Sequence, residues 1–506
     1  MAIPNQPSLD TIVALCKRRG FVYPTSELYG GLTSSYDYGP MGVEVLRHIR
    51  ELWWKRLVTD RDDMVGLDSQ ILLHPQTWVA SGHVESFHDP LVEDIVTHKR
   101  YRADHLIEAW LEDQPSETVD RLVPNSQVEN LSLEQMAILI SDHSIPSPEG
   151  HSVTKPKQFN LLFETAIGSV SDDKTSLYLR GETAQGIFTN FKQVVNSTRV
   201  RLPFGIGQIG RSFRNEITTG QFVFRTLEFE QAEIEYFFDP NDRSWRQLFE
   251  SWQQVIWQFV TETLGVSPKN LRWRRHTDAE RSHYSQETFD LDYRFPFGWK
   301  ELWGLAYRGD YDLRQHAQTS GQDLSYTYPN TSRSLFPHVI EPAVSTSRLF
   351  LSVMIDAYQY DTEHQRVLLQ LHPDLAPYRV AVFPLLKNKR QLVELARRVY
   401  RSLQPQMSTT WDERGNIGKR YLYQDEIGTP YCLTIDYQSL DDGTVTVRHR
   451  DTTEQVRVSI DVLVEYLFRS NPESGVDWLR SKLSENKAAE SKLTGPNQTG
   501  EKPTAR

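Results

Sequence analysis

The stretch 204–238, FGIGQIGRSFRNEITTGQFVFRTLEFEQAEIEYFF, limits the folds open to this chain more than any other. It reads as two strands joined by a polar loop. Ile206, Ile209 and Phe213 lead in, 217–221 forms the turn, and 222–238 returns. Apolar residues alternate at Phe222 and Phe224 and again at Ile234 and Tyr236, the period of an antiparallel pair. Yet Arg211, Arg214, Glu216, Arg225, Glu228, Glu230 and Glu233 lie inside the same strands. Charged side chains are seldom buried without partners, so a face carrying both signs beside phenylalanines is either solvated or a site.

Phe213-Arg214-Asn215-Glu216, a loop, then Arg225 and Phe229-Glu230-Gln231-Ala232-Glu233 resembles motif 2 of class II aminoacyl-tRNA synthetases, in the wording of the homodimeric glycyl-tRNA synthetases. The chemistry suits the residues. An arginine at a strand start can hold a phosphate bidentately. Glu216, two residues on, lies on the same face, within reach of an adenine amino group or of the turn. Phe229 offers a base a flat apolar surface, a contact worth about 1–3 kcal/mol.

A chain of 506 residues, 38% hydrophobic, predicts two or more domains. It has no run of 18 apolar residues, so no membrane span is expected. Cys16 and Cys432 are too few for a disulfide framework or a cysteine-built zinc site, and suit a reducing cytoplasm. A net charge of −11 argues against a generally basic nucleic-acid binder while leaving room for local basic patches.

Along the chain, Ser8 caps a helix over 9–19 that Gly20 ends. Pro40 precedes a helix over 41–58, with Leu46, Ile49, Trp53 and Leu57 on one face, and a strand is expected over 64–73. This order resembles class II motif 1, which in that family builds a homodimer interface; a buried helix in a monomer is the plainer reading of the pattern. His83 and His88 match no metal-ligand spacing. The basic run 98–104 contains Arg102 before Ala103-Asp104, where the resemblance puts an arginine near the amino-acid substrate. Residues 104–157 are polar and mostly helical, an insertion in a catalytic domain spanning 1–375.

Arg180-Gly181-Glu182-Thr183-Ala184-Gln185-Gly186 ends a strand and opens a helix; Arg180 and Glu182 side by side can hold a zwitterionic amino acid. Residues 290–295 read as a strand with acidic residues on one side. Trp299 to Ala306 then resembles the family's stretch between motifs 2 and 3, in which Glu301 is the ATP and magnesium residue. Glu341-Pro342, then Arg348 opening a helix, resembles motif 3. The family typically reads Glu-Pro-Ser-X-Gly-X-X-Arg; here Ala343 replaces the serine, Ser345 the glycine, and Leu227 a second motif 2 arginine.

From Tyr378, after the Pro373-to-Pro377 linker, strands and helices alternate as in a compact α/β unit. Residues 376–470 resemble the anticodon-binding domain shared by glycyl-, histidyl-, threonyl- and prolyl-type synthetases. They hold 14 Lys+Arg against 12 Asp+Glu in an otherwise acidic chain. Residues 471–506 read as a disordered tail.

The fold expected is therefore α/β (α+β): a class II antiparallel-sheet catalytic domain with a helical insertion, then an α/β anticodon-binding domain. The resemblance implies glycine–tRNA ligase activity, with ATP, glycine and tRNA(Gly) as substrates, a homodimer, a cytoplasmic location, magnesium carried with ATP at Glu301, and no zinc. It implies Arg214, Glu216 and Arg348 in catalysis. ATP would meet these with Asn215, Phe224, Arg225, Phe229, Glu301, Leu302 and Ser345. Glycine would meet Arg102, Glu182, Phe229, Glu230, Gln231, Glu233, Glu341 and Ser345. Two other readings stay open: a non-catalytic nucleic-acid-binding paralogue, and a paralogue that activates another small amino acid.

Overall fold

A computed structural model describes residues 6–115, 119, 122–123, 128, 131–168, 175–217, 220–277 and 285–469. The tail expected over 471–506, parts of the insertion and Thr218-Thr219 of the expected turn lie outside the described residues. The chain divides into two compact units between Gln359 and Tyr360.

The first unit is built on a seven-stranded sheet. Its strands are β1 (Met64–Gly66), β2 (Phe204–Phe213), β3 (Glu228–Phe238), β4 (Leu271–Arg275), β5 (Glu287–Phe295), β6 (Gly298–Gly309) and β7 (His338–Ser345), in spatial order β4-β5-β6-β7-β3-β2-β1. All pairs are antiparallel except β1 with β2. Period-two alternation gives the sheet two distinct faces. Phe237 packs on Phe188 and Phe191 of helix Ala184–Ser197. Tyr236, pointing the other way, meets Trp252 of helix Trp245–Gln258.

Several local expectations are corrected. The return strand of the central hairpin starts at Glu228, not at 222. Phe222–Phe224 is a 3₁₀ turn, entered through left-handed backbone at Gln221 and Phe222. All three of its residues are buried. Phe222 packs edge-on to Tyr36, and Phe224 to Phe295 and Phe297, so aromatic burial outweighs the alternation seen in the sequence. Likewise the strand expected over 64–73 stops at Gly66. The Ser69 and Gln70 carbonyls, which would have extended the ladder, accept instead from Arg180 Nη1 at 2.8 and 3.3 Å.

The N-terminal helices follow the sequence closely. Ser8 Oγ accepts from Thr11 N at the start of Leu9–Arg19. Pro40–Trp54 buries Leu46, Ile49 and Trp53 and runs on into a wider turn, Lys55–Thr59, that buries Leu57. In the inserted region, helices Ala103–Glu112 and Leu133–Asp142 share a small core that includes Val92, Ile107 and Ile140. Ser132 and Gln135 close a reciprocal capping box at the start of the second.

In the second unit the sheet order is β9-β8-β10-β11-β12, where β8 is Val380–Pro384, β9 Thr409–Trp411, β10 Tyr431–Ile435, β11 Thr444–His449 and β12 Gln455–Ser459. Val380 and Val382 face the apolar stripe Leu392, Leu395, Ala396, Val399 and Leu403 of one helix. Ala381 and Phe383 face Ile417 and Tyr421 of another. The division at 359/360 falls ahead of the proline-rich linker because Arg366 donates to buried Asp425 at 2.6 Å, with Arg448 on its other side at 2.8 Å.

No helix among the described residues is long and apolar enough to cross a membrane.

Candidate active site

The face of β3 that carries Phe229, Gln231 and Glu233 opens into a cavity of about 250 Å³. Neighbouring strands complete it through register: Glu233 is paired with Ala343 on β7, and Ala343 with Gly304 on β6. Arg214 and Glu216 enter from the end of β2. Phe224 and Arg225 come from the 3₁₀ turn, and Arg348 from the helix Thr346–Ala357.

One end of the cavity is cationic and aromatic. Arg214 sits over Phe229 at 5.3 Å and over Phe87 at 5.2 Å, its Nε donating to Gly181 O at 3.1 Å. Arg348 lies 4.5 Å from the centre of the Phe224 ring, and its Nη1 is 3.0 Å from Glu301 Oε2. Arg225 Nη1 is 3.8 Å from Glu216 Oε2. Enclosure works against ionisation of Glu301, but Arg348, with Arg214 beyond it, holds the carboxyl below its ordinary range. Asp290 lies nearby, bonded by His276 at 2.7 Å and Arg274 at 2.6 Å; burial raises its proton affinity. A methyl group built on Gly304 would come within 3.8 Å of Glu301 Oε1 and 3.9 Å of Asp290 Oδ1, so both carboxyls reach the space over this glycine.

The other end is acidic. Glu182, Glu233 and Glu341 are all buried. Thr183 N donates to Glu233 Oε2 at 2.9 Å, the Thr183 hydroxyl also donates to that oxygen, and Gln231 Nε2 donates to Oε1 at 2.9 Å. His83 Nε2 is 3.3 Å and Arg308 Nη2 3.8 Å from Glu182. Arg308 Nη1 bonds Glu341, while its other nitrogens grip Asp312 at 2.8 and 2.7 Å. These partners separate the three carboxyls. Burial pushes each up, but His83 and Arg308 hold Glu182 well below the usual range. Burial together with Glu182 raises Glu233. Burial outweighs Arg308 at Glu341 and carries it to about 8.

Most of the expected residues meet here: Arg214, Glu216, Phe224, Arg225, Phe229, Glu301, Ser345 and Arg348 at one side, Glu182, Gln231, Glu233 and Glu341 at the other. Five do not line the cavity. Glu230 is on the opposite face of β3, bonded by Arg50 at 2.6 Å and Thr346 at 3.0 Å, because neighbouring strand residues point to opposite sides. Leu302 is buried in the core for the same reason. Asn215 turns its backbone N–H to Leu161 O at 2.8 Å. Arg102 is forked between Asp89 at 2.8 Å and Asp104 at 2.5 Å. Arg180, expected to meet a substrate, instead spends its donors on the backbone of Ser69, Gln70 and Arg211.

Arg308 and His83 were missed as parts of the acidic end. Arg308 carried no local signal, since it stands near the end of strand β6 while Asp312 lies on the helix that follows. His83 carried none, since only folding brings it to Glu182.

Two family models match the chain: the tRNA synthetase class II core domain (G, H, P, S and T) over residues 163–358, and the anticodon binding domain over residues 379–469. The glycine–tRNA ligase of Caldanaerobacter subterraneus subsp. tengcongensis is 47% identical over 470 residues, 92% of this chain and 99% of that protein. That of Acetivibrio thermocellus is 48% identical over 466 residues, 91% of this chain and 97% of its own. The glycine–tRNA ligase of Geobacillus thermodenitrificans is 47% identical, over the same shares of the two chains.

Proposed function

The chain belongs to the glycine–tRNA ligase family of class II synthetases, and from that footing we propose how its residues divide the work. The enzyme activates glycine with ATP and transfers it to tRNA. In the first step the glycine carboxylate is itself the nucleophile and attacks the α-phosphate, releasing pyrophosphate. No protein base is required, so catalysis consists of positioning and charge stabilisation.

Arg214 holds the α-phosphate as its charge rearranges. Arg348 holds the γ-phosphate and stacks on adenine opposite Phe229, releasing Phe224 to do so. Glu216 orients the adenine amino group or the turn. Glu301, with Asp290 beside it, is a donor set that fits a magnesium ion brought in on ATP, and such an ion neutralises phosphate charge when bound. Glu182, Glu233 and Glu341 surround the glycine ammonium and leave no room for a β-carbon. Exclusion by size is needed because one methylene in an apolar pocket discriminates by only about 1–3 kcal/mol. The second unit takes the anticodon stem of tRNA(Gly), and Pro40–Trp54 with β1 joins two copies in a homodimer. The buried thiols Cys16 and Cys432 suit the cytoplasm.

The observation that carries this reading is the meeting, in one cavity, of a three-arginine end and a three-glutamate end. A non-catalytic paralogue leaves that pairing without a purpose. ATP–pyrophosphate exchange with glycine, alanine and serine tests it. Exchange driven by glycine alone is expected; none with glycine, or an equal rate with alanine, would overturn it.

A further inference from the structure

Glu235 lies on β3 below the acidic end. The register pairs Glu233 with Ala343 and Tyr236 with Ile340, which puts Glu235 level with Glu341 on the neighbouring strand. Glu235 is fully buried, and neither of its carboxyl oxygens has a hydrogen-bond partner among the described residues. Like charges directly opposite on adjacent strands repel, and an isolated buried carboxylate is costly enough that it takes up a proton instead. The wider cluster sharpens the imbalance. Glu341 of β7, Glu182 ahead of helix Ala184–Ser197 and Asp312 of helix Tyr311–Ser320 all pair with one buried guanidinium, Arg308 of β6, which acts at longer range on Glu233 and Glu235 of β3. The other buried guanidinium toward Glu233 among the described residues is Arg180. His83 faces Glu182, Arg214 stands toward Glu233 from the mouth, and His316, bonded to Gln185, is kept neutral by burial.

We propose that this cluster holds two protons when no amino acid is bound, one fixed on Glu235 and one at Glu341, and that an entering ammonium group expels the second. The inference rests on the reading of Glu182, Glu233 and Glu341 as the ammonium pocket. In the step, the Glu341 O–H bond breaks and the proton passes to solvent. An ammonium N–H then donates to the carboxylate left behind, and the amino acid keeps all its own protons. Because the cluster titrates as a unit, the macroscopic step belongs to the group and is centred near Glu341's value of about 8. Below it, the binding-competent form is a minority. Glycine KM should therefore fall about fivefold from pH 7 to pH 8 and level off above pH 9.

Two measurements on the full-length enzyme decide this. The first adds glycine in weakly buffered solution at pH 7.5 with a pH indicator, following saturation by intrinsic fluorescence. Release of most of one proton per site is expected in the native enzyme and none in Glu341→Gln. The second is infrared difference spectroscopy. A protonated-carboxyl band that persists with glycine bound should vanish in Glu235→Gln. Saturable binding without proton release, a glycine KM flat from pH 7 to 8.5, or the absence of the Glu235 band would each overturn the proposal. The proton count on the native enzyme stands even if Glu341→Gln does not fold. An unchanged glycine KM in Glu233→Gln would instead overturn the ammonium pocket itself, a separate failure.

Discussion

Arg214 and Glu233 border one cavity but are expected to meet different moments of the reaction. The α-phosphate changes its charge distribution as the carboxylate attacks, so the role proposed for Arg214 is expected to be felt mainly in the transition state. Arg214→Ala should slow pyrophosphate exchange by about 10²–10³, judged from the loss of a single oxyanion donor, with a smaller effect on glycine KM. The glycine ammonium is unaltered by activation. Glu233→Gln keeps the size and removes the charge, so it should chiefly raise glycine KM. If both variants change both constants by no more than a few-fold, the cavity is not the active site. Glu341 adds a pH dependence. Its folded value of about 8 exceeds the ordinary 4.5, so the native state binds a proton that the unfolded chain gives up. Its contribution to stability is full below the ordinary value and is lost as pH rises toward 8. Glycine, which favours the ionised carboxyl, should raise the melting temperature more at pH 8.5 than at pH 6.5; an equal or smaller rise would contradict this.

At the scale of elements, Arg180 fastens the end of the strand pair to the segment after β1. Its guanidinium is buried and tied to three backbone carbonyls. Gly210 on β2 lies beneath it: a Cβ there would come 2.2 Å from Arg180 Nη2 and 3.1 Å from its Cζ. Gly210→Ala forces that guanidinium from its carbonyls and should destabilise the first unit by about 1–3 kcal/mol, the usual range for overpacking a filled interior. A denaturant midpoint equal to that of the native protein would show that Arg180 can yield freely. The same substitution should slow exchange, since the Arg180 carbonyl accepts from Phe213 N next to Arg214.

For the whole molecule, the two units carry separate cores, which is the basis for assigning them separate tasks. Removing residues 360–506 should leave glycine-dependent exchange largely intact and abolish tRNA charging; charging at the full rate by a folded truncation would refute the assignment. Light scattering at micromolar concentration should give twice the chain mass. An active monomer would rule out the interface proposed for Pro40–Trp54.

How much was legible in the residues follows from the range of the forces involved. Alternation, caps and the apolar stripes of Pro40–Trp54 and Arg390–Leu403 are local, and they marked these elements in advance. The resemblance in motif order grouped Arg214, Phe229, Glu233, Glu301, Glu341 and Arg348 before any strand was paired, and all six line one cavity. What the chain alone could not supply was which side of a strand meets the cavity and who stands across from whom. Glu230 and Glu233 look alike in the sequence, yet one serves a helix and the other the pocket, because one step along a strand reverses the side chain. Phe222 and Phe224 fit a strand pattern, but tertiary aromatic contacts drew them into a turn. Glu235 opposite Glu341, with no hydrogen-bond partner among the described residues, and Arg308 paired with several acids exist only once β3, β6 and β7 lie side by side. A buried charge takes its character from neighbours distant in the chain, so the protonation of this site was decided by the tertiary structure alone.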